Sequence, residues 1–196
     1  MLYLVESRKI IVVGIPGVGK TSLLQRIVEI LNEHNKSVSV NSFGSIMFDV
    51  AKENGIKDRD ELRKLPLSEQ RTLQKIAAEK LAMLNDDLVI IDTHAFIKSP
   101  EGYYPGLPEH VLKILKPSNF ISVSAKPEEI YNRRMKDETR NRDLVSIDNI
   151  KKELDVQSGM ISACAVLSGS PVKYVLNREG MLDDVADKII KAIRLL

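Results

Sequence analysis

The residues best placed to do chemistry are gathered in Gly14, Ile15, Pro16, Gly17, Val18, Gly19, Lys20 and Thr21, with Ser22 directly behind them. Glycines at this spacing let backbone N–H groups close around phosphate oxygens with no Cβ in the way. Lys20 can reach the β and γ phosphates of a nucleotide. The Thr21 hydroxyl can bind the Mg²⁺ that bridges them. An apolar run, Ile10 to Val13, leads into the loop, and an amphipathic pattern follows it. Strand, glycine loop and helix therefore stand in the order that a phosphate-binding P-loop requires. The helix opening near Lys20 points its positive end at the anion. A plain glycine turn would not need the fixed positions and both flanks to agree.

Asp92 closes a second apolar run, Leu88 to Ile91. A carboxylate at such a strand end can hold Mg²⁺ directly or through a water; the bland alternative is an Asp that caps the next turn. Arg133, Arg134, Arg140 and Arg142 crowd one non-periodic segment, interleaved with Asp137 and Asp143. Guanidinium groups bind phosphate oxygens in pairs and stay charged, which suits a flap closing over phosphates. An exposed basic loop or an RNA-binding patch is the alternative, and no aromatic platform for bases accompanies it. Arg59, Arg63, Lys64 and Lys98 are candidates for a second anion site, or else surface charges. His34, His94 and His110 lack metal-ligand spacing. His94, close behind Asp92, is either a neighbour of the site or a packed structural histidine.

These side chains need a scaffold, and the hydrophobic pattern outlines one. Leu23, Leu24, Ile27, Val28, Ile30 and Leu31 recur at helical spacing to about Glu33. Val38 to Val40 reads as a short strand. Asn41-Ser-Phe-Gly44 turns the chain into a helix reaching about Asn54, with Gly55 as its stop. A short charged helix spans 58–64, and Pro66 ends it. Ser68 caps the next helix, which reaches about Leu84. After the strand ending at Asp92, Thr93 to Gly106 reads as a long loop, a length that usually signals function. Pro108 opens a helix that stops before Pro117. Phe120 to Ser124 is a strand, Pro127 to Lys136 a helix, and Ser146 caps a long helix reaching about Leu167. Val172 to Leu176 is the last strand, followed by a helix over 181–195. Five strands alternating with helices, the inner ones almost continuously apolar, predict a three-layer α/β fold with a mostly parallel sheet. Its ligand belongs beyond the carboxyl ends of the strands.

Composition narrows the alternatives. A chain of 196 residues suits one domain, with 43% hydrophobic and 29% charged residues. The formal net charge of +2 gives no general pull toward nucleic acid or membrane. Its one cysteine, Cys164, rules out an intrachain disulfide and a cysteine-rich metal site, and fits an intracellular protein. No apolar run is long enough to span a membrane, and the start lacks the layout of a secretory signal. A GTPase would need an Asn-Lys-x-Asp motif; the nearest piece, Asn177-Arg-Glu-Gly180, does not supply it.

Taken together, these motifs resemble the archaeal-type adenylate kinases. The resemblance is carried by the P-loop, Asn41-Ser-Phe-Gly44, Asp58-Arg-Asp-Glu-Leu-Arg-Lys-Leu65, Asp92-Thr-His-Ala95 and Lys98-Ser-Pro-Glu-Gly-Tyr-Tyr-Pro-Gly-Leu-Pro108. Arg134 with Thr139-Arg-Asn-Arg142, and Ala165-Val-Leu-Ser-Gly-Ser-Pro-Val-Lys173, complete it. It implies a P-loop nucleoside monophosphate kinase catalysing ATP + AMP ⇌ 2 ADP with Mg²⁺, in a single domain with an AMP-binding insertion at about 41–70 and a lid at about 136–146. It implies a cytoplasmic protein, often a homotrimer, with no nucleic-acid or membrane partner. By the same resemblance the P-loop residues Gly14 to Ser22 hold ATP. Lys20, Arg134, Arg140 and Arg142 act on the transferring phosphate, Thr21 and Asp92 serve the metal, and Gly44, Arg59, Arg63 and Lys98 receive AMP. Arg133 or Arg134 stacks on the ATP adenine, and the turn over 168–173 lines that base. The lid lacks the cysteines of zinc-bearing lids, and residues 1–7 are an extension on the family pattern. Kinases acting on cytidylate, uridylate or a non-nucleotide hydroxyl are the neighbouring alternatives.

Overall fold

The computed structural model describes residues 7–136 and 146–194. Strand β1, Arg8–Val13, lies at the middle of a five-stranded sheet. β3 (Leu88–Thr93) pairs along one side of it and β6 (Asn119–Ser124) along the other. β2 (Val38–Ser42) and β7 (Val172–Leu176) form the two edges, and every pairing in this sheet is parallel. Ile10 to Val13 and Leu88 to Ile91 are fully buried. A central parallel strand is covered on both faces, so its side chains alternate between two apolar layers and none can be polar without a partner.

Helices α1 (Lys20–Glu33) and α8 (Leu182–Ile193) pack against each other. A second series of neighbours runs from α2 (Phe43–Glu53) to α4 (Leu67–Ala82), α5 (Glu109–Leu115) and α7 (Ile147–Ser168), with α6 (Pro127–Lys136) on α7. Right-handed crossovers put these two groups on opposite faces of the sheet. α1 contributes Leu23, Leu24, Ile27 and Leu31 to the core, each worth about 1.5–3 kcal/mol when buried. The chain leaves β1 toward β2 but leaves β6 toward β7. The two connections diverge, so a crevice opens at the carboxyl ends of β1 and β6, where the glycine loop follows Val13.

A smaller apolar cluster spans residues 47–76 and touches the main core through Met47. Val50, Ala51 and Leu73 are buried there, with Met47, Phe48, Ile56, Leu62, Leu65 and Ile76 packed around them. The short helix α3, Arg59–Lys64, is capped by Asp58, whose carboxylate accepts from the amides of Asp60 and Glu61.

Two expectations are corrected. The stretch from Thr93 to Gly106 is not a plain loop: β4 (Phe96–Ser99) and β5 (Gly102–Pro105) form an antiparallel hairpin within it. Phe96 meets Tyr103 edge-on at 5.0 Å between ring centroids, anchoring the hairpin to the core. The hairpin closes where the Gly106 amide donates to the Ala95 carbonyl. Ser68 does not cap α4. That helix starts two residues earlier, at Leu67 behind Pro66, whose carbonyl accepts from Glu69 and Gln70, while the Gln70 side chain donates to the Leu65 carbonyl.

A Cβ at Gly106 would collide with the backbone carbonyl oxygen of His94. Backbone cannot step aside as a flexible side chain can. Gly106→Ala is expected to lower stability by about 1–3 kcal/mol, measured by denaturant unfolding; an unchanged midpoint would show that the hairpin base has slack.

Candidate active site

The glycine loop is a tight turn with its conformation set at two points. Gly17 has φ +91° and Gly19 φ +80°, a left-handed region that L side chains rarely occupy. Gly19 is the N-cap of α1, and no side chain caps that helix, whereas Ser42, Asp58 and Ser146 cap α2, α3 and α7. The first amides of α1 thus have no side-chain acceptor, which is the arrangement an anion requires.

Lys20 reaches across from this loop to the end of β3. Its Nζ lies 2.5 Å from Asp92 Oδ1 and donates to the Thr93 carbonyl at 2.6 Å. Burial pushes the Lys20 ammonium below its ordinary pKa, and the Asp92 charge opposes that drop. Asp92 Oδ1 is itself buried and has the ammonium as charge partner without a well-directed hydrogen bond. Thr21 and Asp92 line one open cavity of about 650 Å³, whose wall continues along Leu24, Gln25, Val28 and Val40.

The donors here suit Mg²⁺ rather than a metal held by protein alone. Among the described residues no group of three His, Cys, Asp or Glu side chains could hold an ion. A carboxylate that holds the lysine, with Thr21 lining the same cavity, suits a hard ion that keeps its waters and takes the rest of its ligands from phosphate.

Arg133 and Arg134 approach the loop from α6, though from its outer side. Arg134 Nε donates to the Pro16 carbonyl at 2.8 Å, and its Nη2 pairs with Glu153 on α7 at 2.8 Å. This pair is nearly dry, the two side chains being 8% and 13% exposed. Arg133 Nη1 donates to the Gly17 carbonyl at 3.3 Å, with Glu129 on its other nitrogen. Arg140 and Arg142 lie outside the described residues.

The proposed acceptor residues are only partly brought together. Arg59 Nη2 donates to Ser45 Oγ at 3.1 Å, and its guanidinium sits 5.6 Å from the Phe48 ring centroid. Ser45 in turn shares the first turn of α2 with Gly44 and its cap Ser42. Arg63 pairs instead with Asp60 on its own helix, and Lys98 stands exposed on β4 opposite Tyr103.

The turn over 168–173 is at the wrong end of the molecule to line an adenine beside the P-loop. It precedes β7, so it sits at the amino ends of the strands, where the Pro171 carbonyl accepts from Phe120 and Ser170 Oγ donates to Pro117. The residue at the carboxyl end is Asn177, buried and within reach of the glycine loop. Its signal in the sequence is faint: Asn177 opens a polar stretch, Asn177-Arg-Glu-Gly180, just past the last strand.

The AAA domain family matches residues 13–151. The adenylate kinase of Methanocaldococcus jannaschii is 39% identical over 96% of this chain and 100% of its own length. That of Thermoplasma acidophilum is 40% identical over 93% and 97%. The chain belongs to the adenylate kinase family. Shikimate kinase from Bacteroides thetaiotaomicron shares the fold, with a TM-score of 0.58 at 13% identity, covering 96% of this chain and 99% of that one.

The buried Arg134–Glu153 pair gives this adenylate kinase a brittle point. Glu153→Ala would leave a guanidinium desolvated behind the P-loop, and a loss of about 3–5 kcal/mol is expected. Thermal or denaturant unfolding checks it; a loss below about 1 kcal/mol would mean that water replaces the carboxylate.

Proposed function

We propose that the chain transfers the γ-phosphoryl group of ATP to AMP, reversibly and with Mg²⁺, giving two ADP. What supports this reading is the kinship with adenylate kinases over nearly the whole chain, together with a P-loop whose Lys20 and Asp92 already face each other at its mouth. A hydroxyl acceptor needs a base to take its proton, whereas the phosphate oxygen of AMP is already an anion and needs only alignment and charge neutralisation.

In this reading the amides of Gly17, Gly19 and Lys20 hold the β and γ phosphates, and Lys20 turns from Asp92 to the phosphate oxygens. Thr21 and the released Asp92 would hold Mg²⁺, which supplies charge neutralisation as the phosphoryl group moves. Arg59, with Ser45 and the exposed Gly44, faces the AMP phosphate at the start of α2. The smaller apolar cluster over residues 47–76 supports treating residues 41–70, with the start of α4 behind them, as a unit that closes on AMP, and 136–146 is the lid in this reading. Closure would keep water from the phosphoryl group. Arg140 and Arg142 keep their proposed places over that group. Arg134 does so only by leaving Pro16 and Glu153, while Arg63 and Lys98 need movement of their segments. A cytoplasmic homotrimer follows from the family resemblance alone. Among the described residues no helix is long and apolar enough to cross a membrane.

A coupled assay of ATP and Mg²⁺ with each nucleoside monophosphate tests the reading. ADP formation is expected with AMP and lost in Lys20→Ala; turnover with another acceptor and none with AMP would sink it.

Gly44 offers a sharper check. A Cβ there meets nothing within 4 Å, so the protein itself does not require glycine. Gly44→Ala should leave stability unchanged or raise it by up to about 1 kcal/mol. If AMP approaches this backbone, KM for AMP should rise several-fold with KM for ATP unmoved; an unchanged KM for AMP would remove Gly44 from the acceptor site.

A further inference from the structure

Carbonyl groups at four consecutive positions of the P-loop accept hydrogen bonds from side chains outside it. Pro16 accepts from Arg134 and Gly17 from Arg133. Val18 accepts from Asn177 Nδ2 at 2.8 Å, and Gly19 is 3.5 Å from the same nitrogen. The first two donors come from α6 and the third from the end of β7. The carbonyls of Pro16, Gly17 and Val18 therefore point outward, while that of Gly19 also accepts the Leu23 amide as the first helical bond of α1. A peptide group is planar with its N–H opposite its C=O, so fixing the carbonyls outward fixes the amides of the next residues inward. Those inward amides, apart from that of Val18, which donates to the Ile15 carbonyl at 3.4 Å, make up the anion nest.

We propose that Asn177 is a positioning residue for ATP: it holds the Val18 and Gly19 peptides so that the loop meets the phosphates with its amides already aimed. The proposal rests on the reading of the P-loop as the ATP site. Asn177 is built for this task. It is 5% exposed, and few polar side chains are buried among the described residues. Both partners of Nδ2 are carbonyl oxygens, so the amide nitrogen and not the oxygen must face the loop. Its backbone amide donates to the Ser124 carbonyl at 2.8 Å, locking the residue to the end of β6. The approach is close enough that a Cβ at Gly19 would lie 2.6 Å from Nδ2. The glycine at this position thus serves the left-handed turn and also admits Asn177. Pre-aimed dipoles need no reorganisation when the phosphates arrive, which is the source of their strength in a phosphoryl-transfer site.

The test compares Asn177→Ala, Asn177→Ser and Asn177→Asp with the parent protein. Binding of Mg-ATP, inorganic tripolyphosphate and AMP is measured by calorimetry at a temperature where circular dichroism shows each protein folded. Asn177→Asp places a carboxylate oxygen against two carbonyls and is expected to weaken ATP and tripolyphosphate about tenfold or more, Asn177→Ala less, with AMP within about twofold of the parent. Equal losses for ATP and tripolyphosphate mark an effect on the phosphates. A loss for ATP alone would make Asn177 a contact to the base and overturn the proposal. Unchanged binding of both ligands in a folded Asn177→Ala or Asn177→Ser would also overturn it, as would equal weakening of AMP, the sign of general structural damage. Should Asn177→Asp not fold, the other two variants give the same reading. A parent protein that binds no Mg-ATP would sink the ATP-site reading itself, and the proposal with it.

Discussion

A loop that binds phosphate through its own amides must turn its carbonyls the other way and find donors for them. Buried carbonyls without donors are costly, so the anion site is only as well formed as the shell behind it. Here that shell consists of Arg133, Arg134 and Asn177. Much of the architecture serves to bring these three side chains to one place. The parallel sheet carries β1 and β7 to the same end, and α6 leaves β6 at that end and lies against the loop. α7 then supplies Glu153 to keep Arg134 charged in a nearly dry position.

The same shell changes how the arginines are understood. Clustered guanidiniums near a P-loop suggest direct contact with phosphate. In this structure the two on α6 donate to loop carbonyls, Arg133 to Gly17 and Arg134 to Pro16. A guanidinium bound to a carbonyl still adds positive potential behind the nest, so support and electrostatic attraction are not alternatives.

Elements whose folding is governed by local pattern were legible in the sequence. The apolar runs of β1, β3 and β6, the helical spacing of α1 and the cap at Ser146 all lie where the pattern put them. The β4–β5 hairpin was not legible, because Lys98 to Gly102 offers no alternation and its stability comes from Phe96 against Tyr103 and from the fit at Gly106. The start of α4 was misread because a serine is only one possible cap, and a preceding proline defines the boundary as well. At the site, the P-loop and Asp92 stood out through spacing alone. Asn177 did not, since its meaning depends on a partner 159 positions away. The resemblance puts the turn over 168–173 beside the adenine; strand direction puts it at the other end of β7.

The Lys20–Asp92 pair has a thermodynamic corollary. The two groups satisfy each other at the mouth of the loop, so an anion that claims the lysine leaves a carboxylate with charge to place. A cation that claims the carboxylate likewise frees the lysine. The two ligands are therefore coupled through one shared ion pair, and coupling of this kind is reciprocal: the factor by which nucleotide tightens metal binding is the factor by which metal tightens nucleotide binding. On the proposed reading, such a pair would favour the metal–nucleotide complex over either component alone.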